Sequence, residues 1–190
     1  MGAAAGGLWP PFGGGNGLVV AGRLSARARD AAKMTGRIAF VAVAAISLAA
    51  DLATSRWLQH VLPMGSSYHL LGSLVQLRPE YNSGVAFGSL SGAPPWLFIA
   101  LSVLVAVVVV VISFRRQLGV RLEVALGLVI GGALGNAVER SLYGRVYDFV
   151  YLSHYPGIFN LADAAITVGV GLLIVDQLRS GPSSVSTHNR

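Results

Sequence analysis

The sequence predicts an all-α membrane protein of four transmembrane helices, with a small extracytoplasmic β element between the first and second spans. Three observations carry this expectation. The chain is 54% hydrophobic and only 12% charged, with a mean hydropathy of +0.64, where an ordinary soluble domain is about 25% charged. Four segments approach the ~20 mostly apolar residues that a helix needs to cross a bilayer core. Lysine and arginine gather at alternate connections between them, the pattern that marks the cytoplasmic side of a membrane.

Residues 1–33 are Gly/Ala-rich with Pro10 and Pro11, too weakly hydrophobic for a core and without the charged start of a secretory signal, so a disordered tail is expected. The first span, Ile38 to Leu58, is apolar up to Ala50 and then interrupted by Asp51 and Arg56. The loop over 59–95 contains PEYNSGVAFGSLSG, where Asn-Ser-Gly signals a turn and the flanking alternation suits a short β element on the membrane surface. The second span, Trp96 to Phe114, carries no charge. The third, Leu122 to Val138, begins beside Glu123 and ends beside Asn136; Gly127, Gly131 and Gly135 recur every four residues, with Gly132 beside them, and let helix backbones approach closely in lipid. The next loop, SLYGRVYDFVYLSHYPG, places Asp148 among Tyr143, Tyr147, Phe149, Tyr151 and Tyr155, rings that suit the headgroup level. The fourth span, Ile158 to Val175, has Asn160 and Asp163 in its opening turns, and a Ser-rich tail over 180–190 follows. One membrane domain, 34–179, is expected. Four such runs as buried helices of a soluble protein would need more polar helix than 190 residues provide.

Arg23, Arg27, Arg29, Lys33 and Arg37 precede the first span, Arg115, Arg116 and Arg121 lie between the second and third, and Arg179 and Arg190 follow the fourth. Arg56, Arg78, Arg140 and Arg145 fall toward the opposite side. Both termini are therefore expected in the cytoplasm. The net charge of +6 reads as a topology signal and not as a nucleic-acid footprint, because the basic residues lie between apolar runs. With that orientation, Asp51, Asn136, Glu139, Arg140, Asn160 and Asp163 all reach the outer level of the bilayer. Ionisable groups at such depth are costly and usually face a bundle interior or a wet cavity, so they are candidates for function.

The available chemistry is narrow. There is no cysteine, so no disulfide, thiol nucleophile or thiolate-bound metal. The only lysine, Lys33, lies on the cytoplasmic side, which excludes a Ser-Lys dyad at the outer face. His60, His69, His154 and His188 show no metal-ligand spacing, and no metal or cofactor is expected. A Ser-His pair using His154 is conceivable, although a lone loop histidine is more often simply solvated. What the chain supplies is two carboxylates, Asp148 and Asp163, flanking one short excursion from the membrane. Two such acids within a few Å do not both ionise easily, so one keeps a proton while the other acts as base toward a water. A different class, a small four-span proton or ion channel or transporter, also places acids in a bundle. A conduction path should extend across the bilayer, however, and the inner halves of these spans are almost purely apolar. A noncatalytic scaffold leaves the two acids without a purpose.

At these residues the sequence resembles the lipoprotein signal peptidases, also called signal peptidase II. The similarity rests on NSGVAFG at Asn82 to Gly88, GGALGNAVERSLYGRVYDF at Gly131 to Phe149 and FNLADAAITVG at Phe159 to Gly169. Each motif alone is weak, and the combination with the four-span layout is specific; it covers roughly residues 38 to 178. The resemblance implies a multi-pass aspartic endopeptidase of the bacterial inner membrane that cuts diacylglyceryl-modified prolipoproteins just before the lipidated cysteine. Its partners would be those substrates and membrane lipid, with no nucleic acid, and a monomer is expected. Carried over by position, Asp148 and Asp163 look like the catalytic dyad, while Asp51, Asn82, Gly84, Asn136, Arg140 and Asn160 match positions that shape or line the site. Asn136 and Asn160 would donate hydrogen bonds to the substrate backbone or to the dyad. In this family a lysine usually follows the first-span acid by four residues; here that position is Ser55, with Arg56 next to it. An acid at the outer start of a membrane helix then has a reason: the substrate is anchored in lipid, and its scissile bond lies at the bilayer surface.

Overall fold

Small residues decide which helix lies at the centre. In the structure, a computed structural model that describes residues 14–84, 93–155 and 157–180, α3 (Val120–Tyr143) packs against α1 (Gly14–Val61), α2 (Pro95–Arg115) and α4 (Leu161–Ser180). A Cβ on Gly127 would stand 2.8 Å from the Phe40 carbonyl oxygen, and one on Gly131 2.6 Å from that of Ala44, both on α1. One on Gly132 would collide with the Ala162 carbonyl of α4. The glycines spaced by four therefore seat α1, and their neighbour seats α4. Within each helix's most apolar stretch, 72% is buried in α3 against 22%, 17% and 11% in α1, α2 and α4. The three outer helices consequently present apolar side chains such as Ile38, Leu101, Leu104 and Val168 outward, as lipid-facing helices must. All four helices are long and apolar enough to cross a membrane.

α1 is longer than the first span read from the sequence. The chain is helical from Gly14 onward, so residues 14–33 of the expected disordered tail are helix, while residues 1–13 and 181–190 lie outside the described part. Weak hydrophobicity argues against core burial, but it does not prevent a helix from continuing out of an apolar span. No proline lies between Pro11 and Pro63, and alanine and arginine, both strong helix formers, dominate 21–33. At 1.5 Å per residue its 48 residues run about 72 Å, more than twice the ~30 Å hydrocarbon core. α1 thus outruns the bilayer at its N-terminal end.

The other helix ends follow local rules. α2 opens with Pro95 in its first turn, after an extended Pro94, where a missing N–H costs nothing. α3 stops at Gly144, left-handed at φ 70°, whose N–H bonds the Arg140 carbonyl at 2.9 Å. α4 starts at Leu161, three residues later than the predicted span, because Ile158–Phe159 is a strand.

The β element is larger than expected and draws on both loops. β1 (Tyr68–Leu71) and β2 (Val75–Asn82) come from the connection between α1 and α2, β3 (Val146–Leu152) and β4 (Ile158–Phe159) from that between α3 and α4. They form one antiparallel sheet in chain order, with Asn82 opposite Val146 and Glu80 opposite Asp148. The β2–β3 register is irregular between Leu77 and Glu80, the stretch that contains Pro79, which has no N–H to give a ladder. The sheet is fastened to the end of α1 by Tyr147 and Phe149 packing with Leu58, supported by Leu62, Leu77 and Val150. A second cluster, Phe40, Val109, Leu126, Val129 and Ile130, fills the opposite half of the bundle.

Candidate active site

The sheet and the start of α4 meet over the end of α3, and the polar residues of all three converge there. Asn160 is the residue before α4. Its Oδ1 accepts the Asp163 N–H at 2.9 Å, the bond an N-cap asparagine makes to the third helical residue. Its Nδ2 donates to Asn136 Oδ1 at 2.9 Å, and Asn136 Nδ2 donates to Asp163 Oδ1 at 2.8 Å. The three bonds close a ring that locks the Asp163 side chain to α3 and to its own helix cap. Asn160 and Asn136 are both buried, at 0% and 7% exposure.

Asp148 arrives from the other direction, on β3, and is 1% exposed. Asn82 Nδ2 donates to its Oδ2 at 2.9 Å, and Asn82 Oδ1 in turn accepts the Gly84 N–H at 2.9 Å, a side-chain-closed turn of the kind Asn-Ser-Gly favours. Arg140 reaches from α3 to donate from Nη2 to the Gly84 carbonyl at 2.8 Å, its guanidinium 5.0 Å from the Phe98 ring centroid. Asp148 Oδ1 is buried and has no hydrogen-bond partner among the described residues. Burial pushes the Asp148 carboxyl up to about 7; the charges of Asp163 and Glu139 add to that push, while the Asn82 amide and the Arg140 guanidinium oppose it.

Two buried carboxylates hold the backbone beneath these acids. Asp51 Oδ1 accepts the Ala162 N–H at 2.8 Å, and Glu139 Oε2 accepts the Tyr147 N–H at 2.8 Å. Each bond fixes the residue immediately before one of the two aspartates. Asp51 therefore belongs beside the site as a support and makes no hydrogen bond to the pair. Glu139 was visible in the sequence as an acid at the outer end of the third span, but no motif marked its role. Ser55, where the resemblance leads one to expect a lysine, is fully buried beside Glu139 without a well-formed hydrogen bond. The Arg56 guanidinium points elsewhere, 4.4 Å from the Tyr143 ring centroid.

Two cavities open on the site. One, of about 270 Å³, is walled by Phe98, Leu101, Val105 and Ile166 between the helices and bounded by Asp163 and Asn136. The other, of about 320 Å³, is lined by Glu80, Tyr81, Gly84, Asp148 and Tyr151 on the sheet side. Asn82 lines both. Asp163 thus lines the apolar cavity and Asp148 the polar one. Among the described residues no group of three or more His, Cys, Asp or Glu is arranged to hold a metal ion.

A family model described as signal peptidase (SPase) II matches residues 43–179. A lipoprotein signal peptidase of Brevibacillus brevis is 37% identical over 142 residues, covering 73% of this chain and 94% of that protein. One from Pseudomonas putida is 36% identical, with 84% and 98% covered, and one from Methylorubrum extorquens is 41% identical, with 80% and 91% covered. Among solved structures, one described as a bacterial membrane enzyme superposes with a TM-score of 0.70 at 25% identity, covering 80% of this chain and 94% of the other.

Proposed function

The chain belongs to the signal peptidase II family, and from that premise we propose that it is an aspartic endopeptidase which removes signal peptides from diacylglyceryl-modified prolipoproteins just before the lipidated cysteine. The observation that carries this reading is that a surface strand and a membrane helix bring Asp148 and Asp163 near enough for their charges to interact, each lining one of two cavities, one apolar and one polar, that share Asn82. The apolar cavity suits acyl chains and the polar one suits a peptide backbone.

In the proposed reaction Asp148, whose carboxyl is pushed up to about 7, carries the shared proton on its unpartnered Oδ1. Asp163, held by Asn136, takes a proton from a water placed between the two. The hydroxide adds to the scissile carbonyl carbon as Asp148 protonates the carbonyl oxygen; on collapse Asp163 gives its proton to the departing amine while a hydroxyl of the tetrahedral species returns a proton to Asp148. Asn82 and Arg140 keep the Asp148 side of this arrangement fixed. Transport across the membrane finds less support. The polar network is confined to one end, and the cluster of Phe40, Val109, Leu126, Val129 and Ile130 lies between it and the buried Ser113–Glu123 pair, joined at 2.7 Å near the other end.

The test is cleavage of a diacylglyceryl-modified prolipoprotein by purified protein. Asp148→Asn and Asp163→Asn preserve size and remove the proton chemistry, so each should lower kcat by roughly 10²–10⁴-fold or more. The double variant should be little worse, as for groups that act as a unit. Substantial cleavage by either single variant, at normal folding and expression, would sink the mechanism.

A further inference from the structure

At the end of the bundle remote from the two aspartates, a cavity of about 180 Å³ is lined by Lys33 and Arg37 of α1, Arg115 at the end of α2, Arg116 in the connection after it, and Glu123 of α3. Four cations from three segments thus face a space with a single carboxylate. That carboxylate is 3% exposed and its Oε2 already accepts from Ser113 Oγ. Lys33 has one acidic neighbour, Asp30, at 3.5 Å on the exposed flank of the helix. Among the described residues the guanidinium groups of Arg37, Arg115 and Arg116 donate to no protein acceptor. Arg37 is held by its guanidinium lying 5.0 Å from the Phe114 ring centroid, a contact that leaves its N–H groups free. The cytoplasmic preference of basic residues accounts for their level in the membrane, but not for their convergence on a cavity. The comparison is the space between α3 and α4 at the same end, where Arg121 and Arg179 are accompanied by Asp176.

We propose that this cavity binds the phosphate of an anionic phospholipid. Guanidinium forks match phosphate oxygens in geometry as well as charge, and three of them lacking protein acceptors supply the donors. An amphipathic occupant fits better than a free ion because one wall is apolar and faces lipid: Phe114 is 53% exposed, and Val110 and Val111 above it on α2 are exposed as well. The headgroup would sit among the cations while its acyl chains follow α2. The anionic cytoplasmic leaflet supplies such a lipid at the level that the basic bias predicts. The site is independent of the peptidase chemistry.

Full-length protein in a maltoside detergent is titrated with dioctanoyl phosphatidylglycerol, dioctanoyl phosphatidylcholine or inorganic phosphate while the melting temperature is followed. Phosphatidylglycerol should raise it saturably, at concentrations about tenfold or more below those at which phosphatidylcholine acts. Removing a basic charge near an anionic headgroup weakens binding about fivefold, so Arg37→Gln/Arg116→Gln should weaken the phosphatidylglycerol response about 30-fold. Arg121→Gln/Arg179→Gln, at the neighbouring cavity, should leave it within about twofold. Equal responses to the two lipids, or an unchanged response in Arg37→Gln/Arg116→Gln, would overturn the site. An equal response to inorganic phosphate would overturn the lipid in favour of a free anion. If the double variant does not fold, Arg116→Gln, in the connection and without a protein partner, makes the same comparison at about fivefold.

Discussion

Asp148 is the residue whose environment departs furthest from what its position in a loop suggests. Its carboxyl moves from an ordinary 3.8 up to about 7, first because β3 buries it and then because Asp163 and Glu139 lie near. Between about pH 4 and pH 7 the folded protein therefore holds a proton that the unfolded chain has released, so stability should fall as pH rises through that window and level off above it. Asp148→Asn removes this titration. Its melting temperature should vary less than that of the wild type over the same range, and should equal or exceed the wild-type value above pH 7. Melting curves with the same pH dependence in both proteins would remove Asp148 as the cause. If Asp148 carries the catalytic proton, wild-type cleavage should also decline above about pH 7 as that proton is lost. At this scale the sequence was informative about candidates and poor about contact. Both aspartates, Asn82, Gly84, Asn136, Arg140 and Asn160 could be picked out from motifs. That Asn160 caps α4 and bonds Asn136, while Asn136 donates to the Asp163 carboxylate, depends on side-chain directions that no spacing encodes.

Elements rather than single residues position the two acids, and each is tied down through the residue before it. Glu139 Oε2 receives the Tyr147 N–H, and leaving that buried donor without an acceptor costs about 1–3 kcal/mol. Glu139→Leu should accordingly lower kcat with little change in KM, because β3 and Asp148 shift while the cavities remain. Glu139→Gln keeps an oxygen for the Tyr147 N–H and should restore most of the activity. A purely structural Glu139 would instead give proportional losses of folded protein in both variants, measured by yield and melting temperature. Helix packing offers a second test. Ala at Gly132 would drive a methyl into the Ala162 carbonyl, one residue from Asp163, and overpacking of this kind costs roughly 1–3 kcal/mol. Gly132→Ala should lower both melting temperature and activity, whereas Gly171→Ala, where a Cβ meets nothing within 4 Å, should change neither. The helices were legible because apolar length is written directly in sequence. The sheet was only half legible: the turn at Asn82 signalled it, but β3 carries Tyr147, Phe149 and Tyr151 in a stretch read as an aromatic interfacial loop. Its pairing with β2 is a long-range event.

On the scale of the whole molecule, the sheet fixes which connections share a side. β1 and β2 come from one loop and β3 and β4 from another, so both loops must lie on the same face of the membrane, with the α2–α3 connection, the N-terminal end of α1 and the C-terminal end of α4 on the other. Only the absolute orientation rests on charge, and the structure sharpens that argument. Each of the four arginines toward the sheet side lies over an aromatic ring: Arg56 over Tyr143, Arg78 over Tyr151, Arg140 over Phe98 and Arg145 over Tyr81, at 3.7 to 5.0 Å from the centroid. Their charges are engaged within the fold. At the opposite end Arg37 lies over Phe114 in the same way, but Arg115, Arg116 and Arg121 make no such contact among the described residues. The charges free to set orientation are thus concentrated at the end remote from the aspartates, and on the bias of lysine and arginine toward the cytoplasm we propose that the site lies outside. A reporter active only outside the cytoplasm should be active when fused after His154 and silent when fused after Gln117 or Ser184. Replacing Arg78 and Arg145 with glutamine should leave that pattern intact, since neither sets the orientation. Activity after Gln117 with silence after His154 would invert the molecule and move the proposed site to the cytoplasmic face, where an extracytoplasmic substrate could not reach it.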